Sequence, residues 1–249
     1  MCRSVTIYRT LIGGRAAARL EPILPSVANF TKRIVCLANS KKLGGRCVAG
    51  IELEDGLPTD WIRPVSTLAG GEVPPHLQLT SGELLQLLDI IEVGFVKHYP
   101  NGCHVENWLY DTSKPWKKVG TFNAADLPKL LDFPPDLWGT GSGWCNSTVP
   151  YPESEQLNSS LLLVEALNPK MSVRKWPQGD TSVSVEFIYG SEEYSLKLTD
   201  PDQKCSFIQK GEGTHALGNS VYVCVSLAEP YNHVRTKLAA AVFTAQGPA

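Results

Sequence analysis

The stretch "RIVCLANSKKLGGRCVAGIEL", Arg33 to Leu53, decides how the chain is read. Two apolar runs, Ile34–Ala38 and Cys47–Leu53, flank a polar core, Asn39-Ser40-Lys41-Lys42-Leu43-Gly44-Gly45-Arg46. A short continuous apolar run bounded by turn residues fits a buried strand. Two such runs around a glycine pair make a hairpin with a basic connection. That concentration of positive charge is unexpected in a chain of 249 residues with a formal charge of −2. Residues 1–50 hold nine Lys/Arg and one acid, Glu21, a charge of +8, while residues 51–249 hold 14 Lys/Arg and 24 Asp/Glu, a charge of −10. A one-sided distribution of this kind governs which partners approach the molecule.

Working outward from the hairpin, strand signals dominate. Trp61–Val65 is a third short run, and Pro64 suggests a strand edge or end. After a loop with Gly70-Gly71 and Pro74-Pro75 comes "SGELLQLLDIIEV", where Ser81 is expected to cap one or two helical turns through Leu88. Asp89–Val93 reads as a fourth strand and Glu106–Tyr110 as a fifth. The second half repeats the rhythm. Leu161–Ala166 is apolar throughout, and "SVSVEFIY" alternates strictly, with Val183, Val185, Phe187 and Tyr189 on one face. "YSLKLTD" follows Gly190 as the second arm of a hairpin. A polar stretch, Pro201 to Gly218, precedes the runs Val221–Leu227 and Leu238–Phe243. Between the halves, residues 111–160 carry six prolines and the string "GTGSG" at 139–143. This part reads as an irregular, ordered connector. In it Asp126 is placed to cap a short helix holding Leu127, Leu130 and Leu131, since Pro128 is tolerated only in a first turn. Trp116, Trp138 and Trp144 argue against plain disorder, which is aromatic-poor.

Each half therefore shows three strands, a long insert and two strands. This fits two OB-like five-stranded barrels in tandem, a mainly β chain with short helices. Other small β-barrels and sandwiches have the same spacing. The expected organisation is an extension at 1–31, a first barrel at 32–110, the connector at 111–160 and a second barrel at 161–245.

Composition bounds the function. Apolar residues are 43% and charged residues 19% of the chain, which is globular rather than disordered. No apolar run is long enough to span a bilayer, so no membrane association is expected. The seven cysteines are odd in number and scattered, with no C-x-x-C. Neither a disulfide framework nor a zinc knuckle reads out, and a reducing, cytoplasmic setting is expected. The arginine-rich, acid-poor first residues have the composition of a transit peptide, but are expected to be a poorly ordered extension. No phosphate loop, dinucleotide fingerprint or nucleophile elbow occurs. No cofactor or metal is expected.

Several strings, "IVCLANSKKLGGRCVAGIE", "DWIRPVS", "LLDIIEV", "ENWLY" and "VCVSLAEPYNHVRTKLAAAVF", stand in an order that resembles bacterial dual OB-fold domain proteins. The resemblance covers about residues 32 to 245. It implies two OB folds in one chain and a role in recognising nucleic acid or nucleotides. The stretch "PYNHVRTKL" departs from the family pattern, which has a glycine and aromatics there.

In an OB barrel, the basic loop joins strands one and two and flanks the oligonucleotide-binding face. Lys41, Lys42 and Arg46 are then candidates to meet phosphates, and Gly44 and Gly45 to let the backbone approach. Asn39 and Ser40 are candidate hydrogen-bond donors to phosphate or sugar. Alternatively, the loop is a solvated hairpin. Trp61 and Arg63 share a strand face, so a platform that stacks a base and holds a phosphate is allowed. A core tryptophan, with Arg63 paired to a carboxylate, is the competing reading. Trp108 is a second candidate stacking residue. His104, Glu106 and Asn107 form a polar group ahead of it, which reads as structural.

The expected function is non-enzymatic recognition of nucleic acid, single-stranded in form, or of a nucleotide, through the first barrel. The acidic second half could dock a protein. The alternatives are a protein-interaction adaptor, and a nucleic-acid- or nucleotide-processing enzyme using Cys47, His104 or Glu106.

Overall fold

A computed structural model describes residues 30–77, 79–139, 146–151 and 153–249. Residues 1–29 of the expected extension, and Trp144 with most of the glycine-rich string, lie outside the described residues. The first half holds β1 (Phe30–Lys42), β2 (Gly45–Glu54), β3 (Leu57–Val65), β4 (Asp89–His98), β5 (Asn107–Tyr110) and β6 (Lys117–Thr121). After β7 (Thr148–Pro150), the second half holds β8 (Leu161–Lys175), β9 (Thr181–Tyr189), β10 (Glu192–Leu198), α1 (Pro201–Gln209), β11 (Gly213–Ala216), β12 (Val221–Leu227), β13 (Val234–Thr244) and β14 (Gly247–Pro248).

The two halves close in the same way. In the first, strand order is β1-β2-β3-β5-β4, and β4 returns to pair with β1. β3 and β5 run parallel, with Arg63 opposite Asn107. In the second, β8-β9-β10-β13-β12 closes by β12 pairing with β8, and β10 and β13 are the parallel pair. Each first strand is long because it serves two partners. Phe30–Val35 pairs with β4, and Ile34 onward pairs with β2 across an irregularity between Cys36 and Ala38. β8 likewise pairs with β12 through Leu161–Ala166 and with β9 beyond, with an irregularity between Leu167 and Lys170. A bulge of this sort bends and twists a strand, which barrel closure requires. The chain is thus two closed five-stranded barrels in tandem.

The apolar runs were continuous for a reason now visible. Ile34 and Cys36 face the interior of the first barrel, with Ile62, Val93 and Trp116. Val35 and Leu37 face outward into a second core, shared with Leu161, Leu163, Tyr222, Cys224 and Phe243 of the other barrel. β8 and β12 alternate in the same manner, turning Leu162, Val164, Val223 and Val225 into the second barrel. β9 has no such outer partner. Its inward Val183, Val185 and Phe187 are buried and its outward residues are half-exposed, hence its strict alternation. Each fully buried side chain of this kind contributes roughly 1.5–3 kcal/mol, so the shared core binds the barrels into one body.

Three local expectations are corrected. No helix forms at Ser81–Leu88. The Leu88 amide donates to Cys36 O at 2.7 Å, and Leu88 O accepts from Phe122 at 2.8 Å. Asn39 Nδ2 donates to Leu85 O at 3.0 Å. Tertiary partners have taken the backbone groups that a helix would need. Leu85 and Leu88 are buried as individual pegs, while Leu84 is half-exposed. Second, the short 3-10 helix at Ala124–Leu130 is capped by Asn123, whose side chain accepts from the Ala125 amide, and Asp126 lies within its first turn. Third, residues 111–160 are more built-in than a connector. β6 pairs with β4, β7 pairs with β13, Trp116 lies in the first core, Leu127 and Leu130 lie in the shared core, and Leu137 lies in the second. The polar stretch after Pro201 begins with α1, whose N-cap Asp200 accepts from the amides of Asp202 and Gln203.

Candidate functional site

The basic hairpin turns tightly. Lys42 pairs with Gly45, leaving Leu43 and Gly44 as the turn, and Leu43 takes φ 46°. Gly44 is open to solvent. Gly45 is not, because a Cβ there would lie 2.3 Å from Val73 O. Its glycine serves close packing against the β3–β4 loop, where Arg46 N donates to Val73 O at 2.8 Å. The Lys41 amide donates to Thr199 O of the second barrel at 3.0 Å. The hairpin therefore leans on the second barrel, and a cleft of 520 Å³ opens between them. Ser40, Lys41, Lys42, Cys47 and Arg63 line it from the first barrel, and Ser226 to Glu229 from the second. An adjoining recess of 430 Å³ shares Lys42, Arg63, Gly70 and Glu229 and adds Ser66, Thr67 and Tyr99 to Asn101. The turn between β1 and β2 and the loop between β4 and β5 thus face one space.

The floor of that space is a buried polar network. Arg63 is 4% exposed and its Nη2 lies 3.2 Å from Glu106 Oε1. It also donates to Asn107 Oδ1 at 3.3 Å and to Ser160 Oγ at 3.0 Å. Ser160 in turn donates to Glu106. His104, 3% exposed, has an arginine at each ring nitrogen: Arg63 Nη1 is 2.6 Å from Nδ1, and Arg235 Nη1 is 3.0 Å from Nε2. A neutral imidazole accepts at one nitrogen only, and a charged one at neither. Burial pushes the His104 pKa down, and the Arg63 charge pushes the same way against the raising effect of Glu229. Arg235 is also paired with Glu155 and donates to Ala228 O at 3.0 Å. Residues from β3, the β4–β5 loop, the start of β8 and β13 meet here, so the network joins the barrels by a second route.

The expected site residues separate into three groups. Ser40, Lys41, Lys42 and Arg63 border the inter-barrel cleft. Asn39 and Arg46 border a different cavity of 80 Å³, facing Asp202 at the start of α1. There Asn39 is buried, and Arg46 Nη1 donates to Asn39 O at 3.1 Å. Trp61 and Trp108 share a third groove, of 340 Å³, with Lys32, His98 and Glu106. Lys32 lies over the Trp108 ring at 4.6 Å and pairs with Glu52 at 2.6 Å. Trp61 is half-buried against the shared core, and its indole donates to Asp132 Oδ2 at 3.0 Å. That carboxyl is raised by burial, against the Leu163 amide and the Trp61 indole. Arg63 departs most from expectation. Its guanidinium does not lie open beside Trp61; strand pairing with β5 carries it into the network, where Glu106 neutralises it. Of the residues expected for enzyme chemistry, Cys47 and His104 border the cleft and Glu106 borders the aromatic groove.

Sequence reading missed Glu229, Arg235, Ser160 and Glu155. One signal was present: Arg235 and Lys237 stand two apart at the head of an apolar strand, and both are buried. The remaining contacts join residues far apart in the chain and left no local trace.

No helix among the described residues is long and apolar enough to cross a membrane, and no cluster of three potential metal ligands occurs among them. No curated protein is found to match the sequence. Among solved structures, a deletion mutant of the single-stranded DNA binding protein from Thermus aquaticus is similar at 16% identity, over 87% of this chain and 93% of that one, with a TM-score of 0.21. The sequence pattern described as "Dual OB-containing domain" matches residues 32–242. That match takes in nearly all of both barrels of the 1-2-3-5-4 closed order, and the chain belongs to the dual OB-containing domain family.

Proposed function

We propose that the protein binds single-stranded nucleic acid in the inter-barrel cleft, between the β1–β2 turn and the β4–β5 loop. The observation that carries this reading is that those two loops of the first barrel line one continuous space. OB-folds take up oligonucleotides between the same two loops. Lys41 and Lys42 would meet phosphates. Tyr99, 47% exposed at the mouth, would offer a ring for stacking. Trp61 and Trp108 would serve a base in the neighbouring groove. Arg63 and His104 hold the floor rather than the ligand. Among the described residues the cleft offers two lysines to phosphates, Lys41 and Lys42, the latter 3.4 Å from Glu229, so the salt dependence is shallow, a slope of about −1.4 at roughly 0.7 per contact on a single strand.

Fluorescence polarisation with labelled single-stranded DNA and RNA at two salt concentrations tests this. Binding at low salt that weakens in the Lys41→Ala/Lys42→Ala variant is expected. Absence of binding at low salt, or binding indifferent to that variant, refutes it.

A further inference from the structure

Among the described residues, Glu229 is the one carboxylate lining either part of the cleft. It follows β12, on a turn whose Asn232 and His233 take positive φ, and its side chain is 49% exposed. Its oxygens lie 3.4 Å from Lys42 Nζ, 3.6 Å from His104 Nε2 and 3.7 Å from Arg235 Nη1. Charge-assisted N–H···O bonds run at about 2.7–2.9 Å. Three positive or donor-bearing groups therefore converge on a point that the carboxylate occupies without a tight bond to any of them. Arg63 and Arg235 already have Glu106 and Glu155 as partners. The cleft's remaining formal charges are Lys41 and Lys42 against Glu229.

We propose that Glu229 stands where a ligand's terminal phosphate binds, and that the cleft selects a phosphomonoester, on a strand end or a free nucleotide, over an internal phosphodiester. The inference rests on the cleft being the nucleic-acid site. Charge exchange gives the selectivity. Displacing Glu229 removes one negative charge from Lys42, Arg235 and His104. An internal diester returns one negative charge, which gains nothing. A monoester returns about −1.5 to −2 at neutral pH and three acceptor oxygens, which favours the exchange. Shape acts in the same direction. The floor is closed by Arg63, His104 and the fully buried Ser160, so a phosphate seated beside Glu229 meets closed protein beneath it. A volume of 520 Å³ suits a nucleotide-sized group. The exposed Glu229 side chain can swing to water without disturbing a core contact.

The test uses one fluorescent oligonucleotide sequence in three forms: 5′-phosphorylated, 3′-phosphorylated and with both ends hydroxyl. Each is titrated against the wild-type chain, Glu229→Gln and Glu229→Gln/Lys42→Ala. At least one phosphorylated form should bind the wild type more tightly than the hydroxyl form. Glu229→Gln removes the displaced charge for every form, so each should tighten by up to about tenfold, the size expected for removing one like charge at contact range, with the phosphorylated form still the tightest. Adding Lys42→Ala should cancel the gain. Equal binding of all three forms to the wild type and to Glu229→Gln overturns the monoester site and leaves strand binding standing. So does a Glu229→Gln variant in which the phosphorylated form does not tighten. If no form binds any variant, both proposals fall. Competition by a nucleoside monophosphate separates the two sources: displacement at comparable concentration assigns the site to free nucleotides, and retention of the strand assigns it to strand ends.

Discussion

Replacing Arg63 by methionine probes the network that floors the cleft. Methionine keeps most of the apolar stem and removes the charge. Glu106, 5% exposed, then loses the guanidinium 3.2 Å from its Oε1, while its Oε2 already has no hydrogen-bond partner. Removing one member of a buried ion pair costs about 3–5 kcal/mol, because the other charge stays desolvated. For a chain of this size each kcal/mol moves Tm by about 2–4 °C, so Arg63→Met should melt about 6–20 °C lower. Removing both charges is a different perturbation. Arg63→Met/Glu106→Leu leaves Asn107 and Ser160 short of partners but strands no charge, so it should recover about 1–3 kcal/mol relative to additivity. Urea unfolding of the four proteins at pH 7.5, with unchanged m-values, reads the coupling directly. Since the network and the shared core both span the barrels, each variant should unfold in a single transition. Arg63→Met within about 1 kcal/mol of the wild type, or an additive double variant, would mean that water reaches Glu106 and that the floor is not closed.

Two further outcomes follow from the hairpin and from His104. Gly45→Ala should cost about 1–3 kcal/mol, because its Cβ meets the Val73 carbonyl and must open the Arg46–Val73 bridge. Gly44→Ala, with nothing within 4 Å, should stay within about 0.5 kcal/mol; the reverse order in urea midpoints would refute the packing role given to Gly45. His104 is held below its ordinary 6.5 by burial, so around that pH the unfolded chain binds a proton that the folded chain refuses. Stability should be full above about pH 6.5 and decline as the pH falls. Glu229, lowered from 4.5 to about 2 chiefly by His104, adds a second decline between those values, softened by its exposure. Urea midpoints between pH 8 and 5 that do not fall, or that fall equally in His104→Asn, would refute the first stage.

The strands were legible because barrel and interface impose different patterns on the same kind of element. β9 alternates since only its inner face is covered, and its boundaries followed from Val183, Val185 and Phe187. β1, β8 and β12 read as unbroken apolar runs. Continuity signals burial on both faces, but not what covers the outer one. Val35 and Leu163 carry no mark saying that they join one core across two barrels. The same limit explains the false helix. Ser81 followed by Leu84, Leu85, Leu87 and Leu88 satisfies a helical pattern locally, yet Cys36 of β1 and Phe122, just past β6, take both backbone groups of Leu88. Propensity gave way to tertiary hydrogen bonds.

The site was harder to read for a reason intrinsic to charge. An arginine on a strand beside a tryptophan has the same local sequence whether it faces a phosphate or a buried carboxylate. What decides is the residue across the parallel β3–β5 pairing, and Asn107 and Glu106 reach Arg63 only once the barrel closes. Lys41 and Lys42 were legible because a tight turn puts the residues beside it in solvent whatever the rest of the chain does. Arg46, four residues on, was not, since the β3–β4 loop folds back over it. Glu229 comes from the second barrel and bears on Lys42 only because the Lys41 amide joins Thr199 and holds the hairpin there. The cleft is therefore a property of the pair of barrels. Either barrel alone keeps its fold class in the sequence, but the space where two lysines, one half-exposed carboxylate and a buried histidine converge exists only after Leu37, Leu163 and Phe243 have packed together.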